Sequence, residues 1–241
     1  ACDRLVGTDQ FSNWPVSVQG LPKLGGLEDA QVERIAALRP DLVLASRSAR
    51  VVARLEGLGI PVIALESDTH ADVRSSLRLL GQVLDRDPQA DRTWQAIEAD
   101  FARARERVPP ALLGKRVYFE VDDGLYAAGE ASFIGATLRR LGLGNIAGAS
   151  LGAFPQLNPE FVVRAQPDVI MVSAGQLREL QQRPGWAALR ALRERQVCSF
   201  PREVFELLVR PGPRMGEAAL AIADCLAQLR PPAPAAAATP R

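Results

Sequence analysis

The feature that most constrains this chain is that it repeats itself. Residues Glu33 to Ser46 align without gaps with Glu160 to Ser173, sharing Glu, Pro, Asp and the closing Ser, with apolar residues facing apolar residues between them. Each copy reads as a short helix, a Pro-Asp turn and a buried strand. Proline drives the residue before it out of the helical region, and Asp favours the turn that follows. The likeness continues outward: Asp3 to Asp9 resembles Gly144 to Ser150, Trp14-Pro15 answers Phe154-Pro155, and Gly59 to Ile63 parallels Gln196 to Phe200. Two copies of one α/β lobe are therefore expected. The second copy opens earlier, with a strand Val117 to Val121 and a helix Phe133 to Leu141 that have no counterpart in the first. The first lobe is thus expected to lack its opening strand and helix, and the chain to begin inside its own fold.

Short apolar runs at Asp41 to Ala45, Pro61 to Leu65, Val117 to Val121, Asp168 to Val172 and Val197 to Phe200 are bounded by Gly and Pro and separated by helical stretches. That alternation predicts parallel strands buried on both faces, an α/β class. Between the copies, Trp94, Ile97, Phe101, Ala104 and Val108 recur at spacings of three and four, which is one face of a helix. Prolines 88, 109 and 110 punctuate it. The expected organisation is an N-terminal lobe over 1–88, a stiff joining helix over 89–110, a C-terminal lobe over 111–230, and a disordered Pro/Ala-rich tail over 231–241.

Common catalytic templates are missing. No GxGxxG follows a strand, and there is no GxxxxGK[ST] phosphate loop or GxSxG nucleophile elbow. His70 is the sole histidine and reads as a solvent-exposed loop residue, which leaves a His-based triad or a metal catalyst without ligands. Asp122-Asp123 precedes Gly124 and reads as a turn, and Glu120 as a strand residue that can face the cleft. Cys2, Cys198 and Cys225 are too few and too widely spaced for a zinc site or a disulfide-dense scaffold; one bridge is allowed. A net charge of +1 gives no electrostatic reason for a nucleic-acid or membrane partner. No run reaches the ~18 apolar residues of a membrane helix. The start, Ala1-Cys2-Asp3-Arg4, lacks the basic and apolar stretches of a signal peptide.

Binding is better served. Two α/β lobes side by side turn the C-terminal ends of their strands towards a shared crevice, where such folds place ligands. The loops after those ends carry Phe11, Trp14, Tyr126, Phe154 and Phe205, five of only 13 aromatics (three Trp, two Tyr, eight Phe). Aromatic rings give flat, rigid contact area to a large planar or amphipathic ligand. Trp94 and Phe101, on the helix face, read as core.

The order and spacing of Asp3-Arg4-Leu5-Val6-Gly7, Trp14-Pro15, Leu24-Gly25-Gly26, Val32 to Ala45, Leu58 to Val62, Gly144-Asn145-Ile146, Phe154-Pro155-Gln156 and Arg210-Pro211-Gly212-Pro213-Arg214 resemble the ABC-importer substrate-binding proteins that carry cobalamin, haem or iron-siderophores, and most of all the cobalamin carriers. The resemblance runs from about residue 1 to 230. It implies two Rossmann-like lobes with central parallel sheets, one joining helix and a ligand cleft between them. It implies capture of cobalamin (vitamin B12) or a related corrinoid for delivery to an inner-membrane ABC permease, with haem or a ferric siderophore as the alternative cargo. It places Trp14, Tyr126, Phe154 and Phe205 on the ligand and Glu206 on arginines of the permease. The equivalent carboxylate of the first lobe falls near Ala49 in a shortened loop, with Glu56 as a substitute. No catalytic residue, metal site, resident cofactor or nucleic-acid partner is implied; the protein is expected to be a monomer in the periplasm or lipid-anchored at the membrane surface. A cytoplasmic α/β enzyme with a cofactor between its lobes is the competing class.

Overall fold

The computed structural model describes residues 2–229; the tail expected over 231–241 lies outside the described residues. The elements of the first lobe are α1 (Val32–Ala37), β1 (Val43–Ser46), α2 (Val51–Gly57) and β2 (Val62–Leu65). Two helices follow, α3 (His70–Val83) and α4 (Asp87–Arg107). The second lobe holds β3 (Arg116–Phe119), α5 (Phe133–Arg140), β4 (Gly144–Asn145), α6 (Pro159–Ala165), β5 (Val169–Ser173), α7 (Leu177–Leu180), α8 (Arg190–Arg193), β6 (Val197–Phe200), α9 (Arg202–Leu208) and α10 (Met215–Gln228). All strand pairs are parallel.

The repeat is visible in the backbone. Arg39 and Gln166, at equivalent positions before Pro40 and Pro167, both adopt positive φ, 48° and 45°. Each ends its helix in the left-handed turn that lets the Pro-Asp step swing the chain into a strand. Downstream the registers Val43↔Val62 and Ile170↔Val197 make Val62 the counterpart of Val197. That match sits two residues away from the sequence alignment of Gly59 with Gln196, because the connection before the strand differs in length.

The sheets differ in size among the described residues. The second lobe has a four-stranded sheet in the order β4-β3-β5-β6, and the first a two-stranded sheet, β1-β2. In the second lobe β3 lies between β4 and β5 and gives each a ladder. The first lobe, as expected, shows no counterpart of β3 among the described residues; Asp3-Arg4, which align with β4, lie in a single 3-10 turn instead. Burial follows. Met171 of β5 is 0% exposed, and its counterpart Leu44 of β1 is 43% exposed.

The stripe on α4 is buried as its spacing requires: Ile97, Phe101, Ala104 and Val108 join one core with β3, β5, α5 and α10, and Trp94 packs at its margin. α4 begins at Asp87, with Pro88 in its first turn where a missing N–H costs nothing. α3 precedes it under a capping box in which Thr69 accepts from the Asp72 backbone and the Asp72 side chain accepts from Thr69. The opposite face of the second sheet forms another core around Tyr118, Ile170, Val172 and Trp186. The disulfide left open by the sequence is formed: Cys198 of β6 is bonded to Cys225 of α10. No described helix is long and apolar enough to cross a membrane.

Candidate functional site

At the C-terminal end of β3 the chain turns back on itself. Val121 N donates to Tyr126 O at 2.8 Å and Ala128 N donates to Phe119 O at 2.9 Å. The turn is tied by Asp122, whose carboxylate accepts from Gly124 N at 2.8 Å, the structural role its Asp-Gly sequence predicts. Tyr126, bridged to Gln156, stands at the edge of this hairpin with 39% of its surface open. Gly124 makes room for it: a Cβ there would lie 3.1 Å from two carbons of the ring.

Phe154 is 45% exposed and meets Phe133 edge-on, with centroids 6.4 Å apart. Trp14, its repeat counterpart in the first lobe, is 55% exposed, and the Arg214 guanidinium of the second lobe lies 4.8 Å over its ring. Phe11 is open beside Gly26. Phe205 differs from these. Its ring stacks on buried Phe119 at 5.8 Å and packs into the core, because α9 turns that face towards the sheet.

Glu206 does not stand free at a lobe tip. Its carboxylate accepts from Arg202 Nε (3.0 Å), Arg210 Nη2 (3.0 Å) and, across from the first lobe, Asn13 Nδ2 (3.0 Å). Arg210 Nη1 also donates to Asn13 Oδ1 at 2.8 Å. Hydrogen bonds from Arg202 and then Asn13, with Coulombic help from the arginines, hold the carboxyl below its ordinary pKa. Arg210 and Arg214 bracket the Arg-Pro-Gly-Pro-Arg motif; its spacing was legible, but its reach to Asn13 and Trp14 was not. Ala49, the position aligned with a first-lobe docking carboxylate, is buried.

A second charged cluster lies beneath the hairpin. Glu120 is fully buried rather than facing the cleft, and both Arg183 terminal nitrogens donate to it, at 2.5 and 2.7 Å. Tyr118 Oη donates at 2.7 Å and Gln176 Nε2 at 3.3 Å. Burial first, then the Glu120 charge, pushes the Tyr118 pKa up, so the phenol remains a donor.

His70 also departs from its exposed-loop reading. It opens α3, and Nε2 reaches Phe133 O at 3.2 Å and Thr137 Oγ1 at 3.0 Å on α5 of the second lobe. A carbonyl only accepts, so the proton sits on Nε2 and Nδ1 faces Arg140 Nη1 at 3.5 Å. Burial, then the Arg140 charge, lowers its pKa.

Among the described residues no group of three or more His, Cys, Asp or Glu is placed to hold a metal ion. The site thus offers open aromatic faces from both lobes and guanidinium donors between them. Such groups stack on and hydrogen-bond to a ligand.

Residues 1–204 match the family described as periplasmic binding protein. An uncharacterized ABC transporter substrate-binding lipoprotein of Bacillus subtilis is 26% identical over 235 residues, which cover 93% of this chain and 73% of the relative. A cobalamin-binding protein of Halobacterium salinarum is 34% identical over 185 residues, covering 73% of this chain and 50% of the relative. Among solved structures, a periplasmic heme binding protein from Pseudomonas aeruginosa superposes with a TM-score of 0.80 at 24% identity, covering 94% of this chain and 86% of that one.

Proposed function

Because the chain belongs to the periplasmic binding protein family, we propose that it is the substrate-binding component of an ABC importer, capturing cobalamin or a related corrinoid between its lobes for a membrane permease. One observation carries this reading: Trp14, Tyr126 and Phe154 stand open on loops of the two lobes, a costly exposure of three large rings that a broad ligand would cover. A cobalamin-binding relative supports the choice of cargo. The protein binds and releases its ligand unchanged, as a monomer, without a resident cofactor and without nucleic acid, in the periplasm or tethered at the membrane surface. Glu206 is the carboxylate offered to a cationic residue of the permease, where charge complementarity sets docking register. Phe205, stacked on Phe119, acts behind the cleft and supports its floor.

Haem is the second cargo to test, favoured by the open Tyr126 phenol, since a tyrosinate is a recognised axial ligand of ferric haem. Isothermal titration with cyanocobalamin, hemin and ferrichrome separates these readings. Saturable 1:1 binding of cyanocobalamin with displacement by a corrinoid supports the first. Binding of hemin alone, with a charge-transfer band in the visible spectrum, selects the second. Binding of none of the three rejects the carrier reading for these cargoes.

A further inference from the structure

The polar groups around Glu206 join residues nearly two hundred positions apart in sequence. Asn13 belongs to the loop that presents Trp14; Glu206 and Arg210 belong to α9 and the turn after it. The Asn13 amide is used at both ends: Nδ2 donates to Glu206 Oε2 at 3.0 Å and Oδ1 accepts from Arg210 Nη1 at 2.8 Å. Arg210 closes the triangle by donating from Nη2 to the same Glu206 oxygen at 3.0 Å. An amide side chain carries both a donor and an acceptor, so it can give to a carboxylate and take from a guanidinium at once. Next to Asn13, the Trp14 ring lies under the Arg214 guanidinium, which is itself held by Glu217 at 2.8 Å. The Trp14 loop is therefore fastened to the second lobe by two adjacent contacts of different kinds.

We infer that Asn13, Glu206 and Arg210 form an interlobe latch that holds the Trp14 loop across the cleft, and that the latch shares its acceptor with the surface offered to a cationic partner. A guanidinium or ammonium group of such a partner, on engaging Glu206, takes the acceptor from Asn13 and loosens the Trp14 loop. Ligand release is thereby coupled to docking through one carboxylate. The second part of this inference rests on the proposed docking role of Glu206; the latch itself does not.

The test is a charge-and-amide swap. Spin labels at Ala53→Cys on α2 and Glu194→Cys beside α8, in a Cys2→Ser background, report the distance between lobes in the otherwise intact chain. Asn13→Asp sets a carboxylate against Glu206 and is expected to shift the distance distribution to longer values and to speed dissociation of bound cyanocobalamin or hemin about fivefold or more. Adding Glu206→Gln to Asn13→Asp restores a complementary amide–carboxylate pair and is expected to bring both readouts back to within about twofold of the parent. Unchanged distances in Asn13→Asp, or no recovery in the double variant, overturn the latch. Glu206→Gln alone keeps an acceptor for Asn13 but removes the charge, so it is expected to preserve the closed distance. Longer distances in that variant overturn the latch as drawn. If neither ligand binds the parent, the cargo reading fails while the distances still decide the latch.

Discussion

Arg183 closes on the fully buried carboxylate of Glu120 through both terminal guanidinium nitrogens, at 2.5 and 2.7 Å. This pair ties the segment after β5 to the end of β3, under the hairpin that presents Tyr126. Removing one partner leaves a buried charge unpaired, which typically costs about 3 to 5 kcal/mol. Arg183→Met is expected to lower the unfolding free energy by that amount, read as a fall in the urea midpoint. Arg183→Met combined with Glu120→Gln is expected to recover much of the loss, because the charge that needed a partner is gone. An equal loss in the single and double variants would mean that the packing of Arg183 over Trp186, at 4.7 Å, matters more than the pair.

The Cys198–Cys225 disulfide joins β6 to α10 across 27 residues. Closing a loop of that length in the unfolded chain is worth roughly 3 to 4 kcal/mol on a chain-entropy basis. Cys198→Ala with Cys225→Ala is expected to lose about that much stability in denaturant titrations while keeping the fold, since both positions lie at the packed second-lobe core. Reducing agent should leave the double variant unaffected and destabilise the parent. The bond also accords with an oxidising compartment.

Where sequence reasoning succeeded, the signal was local and periodic. The stripe from Trp94 to Val108, the strands, and the Pro-Asp turns at Pro40 and Pro167 were set by spacing and backbone chemistry within a few residues. Where it failed, the cause lay in distant partners. Nothing near His70 in sequence announces Phe133 or Thr137, and nothing near Glu206 announces Asn13. Phe205 looked like Phe154 because both follow strands, but only the packing of α9 on Phe119 tells that one ring is inward. Charged side chains such as Arg183 and Glu120 are read as solvated by default, and their burial is a tertiary fact.

His70 makes the stability of the lobe contact pH-dependent. Its pKa is lowered in the folded chain, first by burial and then by Arg140. Below the unfolded value near 6.5 the unfolded chain takes up the proton more readily, so stability is fully present above that pH and falls as the pH drops through the folded value. The urea midpoint is expected to decline between about pH 7.5 and about pH 5.5, and His70→Gln to flatten that decline. Glu98, paired with Arg140 at 2.7 Å, moderates the effect, because its negative charge favours the protonated imidazole. A His70→Gln profile parallel to the parent would assign the pH dependence to other groups.

The open rings should carry affinity rather than stability. Trp14→Ala is expected to weaken cyanocobalamin or hemin binding about tenfold or more while shifting the thermal midpoint little, because the ring is mostly solvent-exposed before ligand arrives. Tyr126→Phe separates the two cargoes. For cobalamin, loss of a hydroxyl should change affinity only modestly. For haem, loss of the phenolate should abolish its charge-transfer band and weaken binding strongly. Gly124→Ala is expected to act in the same direction, since its methyl would press on the Tyr126 ring at 3.1 Å.

The unequal lobes supply a matched pair of substitutions. Leu44 and Met171 occupy the same place in the two copies, yet one is 43% exposed on a two-stranded sheet and the other is 0% exposed inside a four-stranded one. Met171→Ala deletes buried volume between two helical layers and is expected to cost about 2 to 5 kcal/mol. Leu44→Ala gives up only partial burial and is expected to cost about 1 kcal/mol. A cost for Leu44→Ala as large as that for Met171→Ala would show that β1 is covered in solution as fully as β5, and that the two copies of the lobe are equally closed.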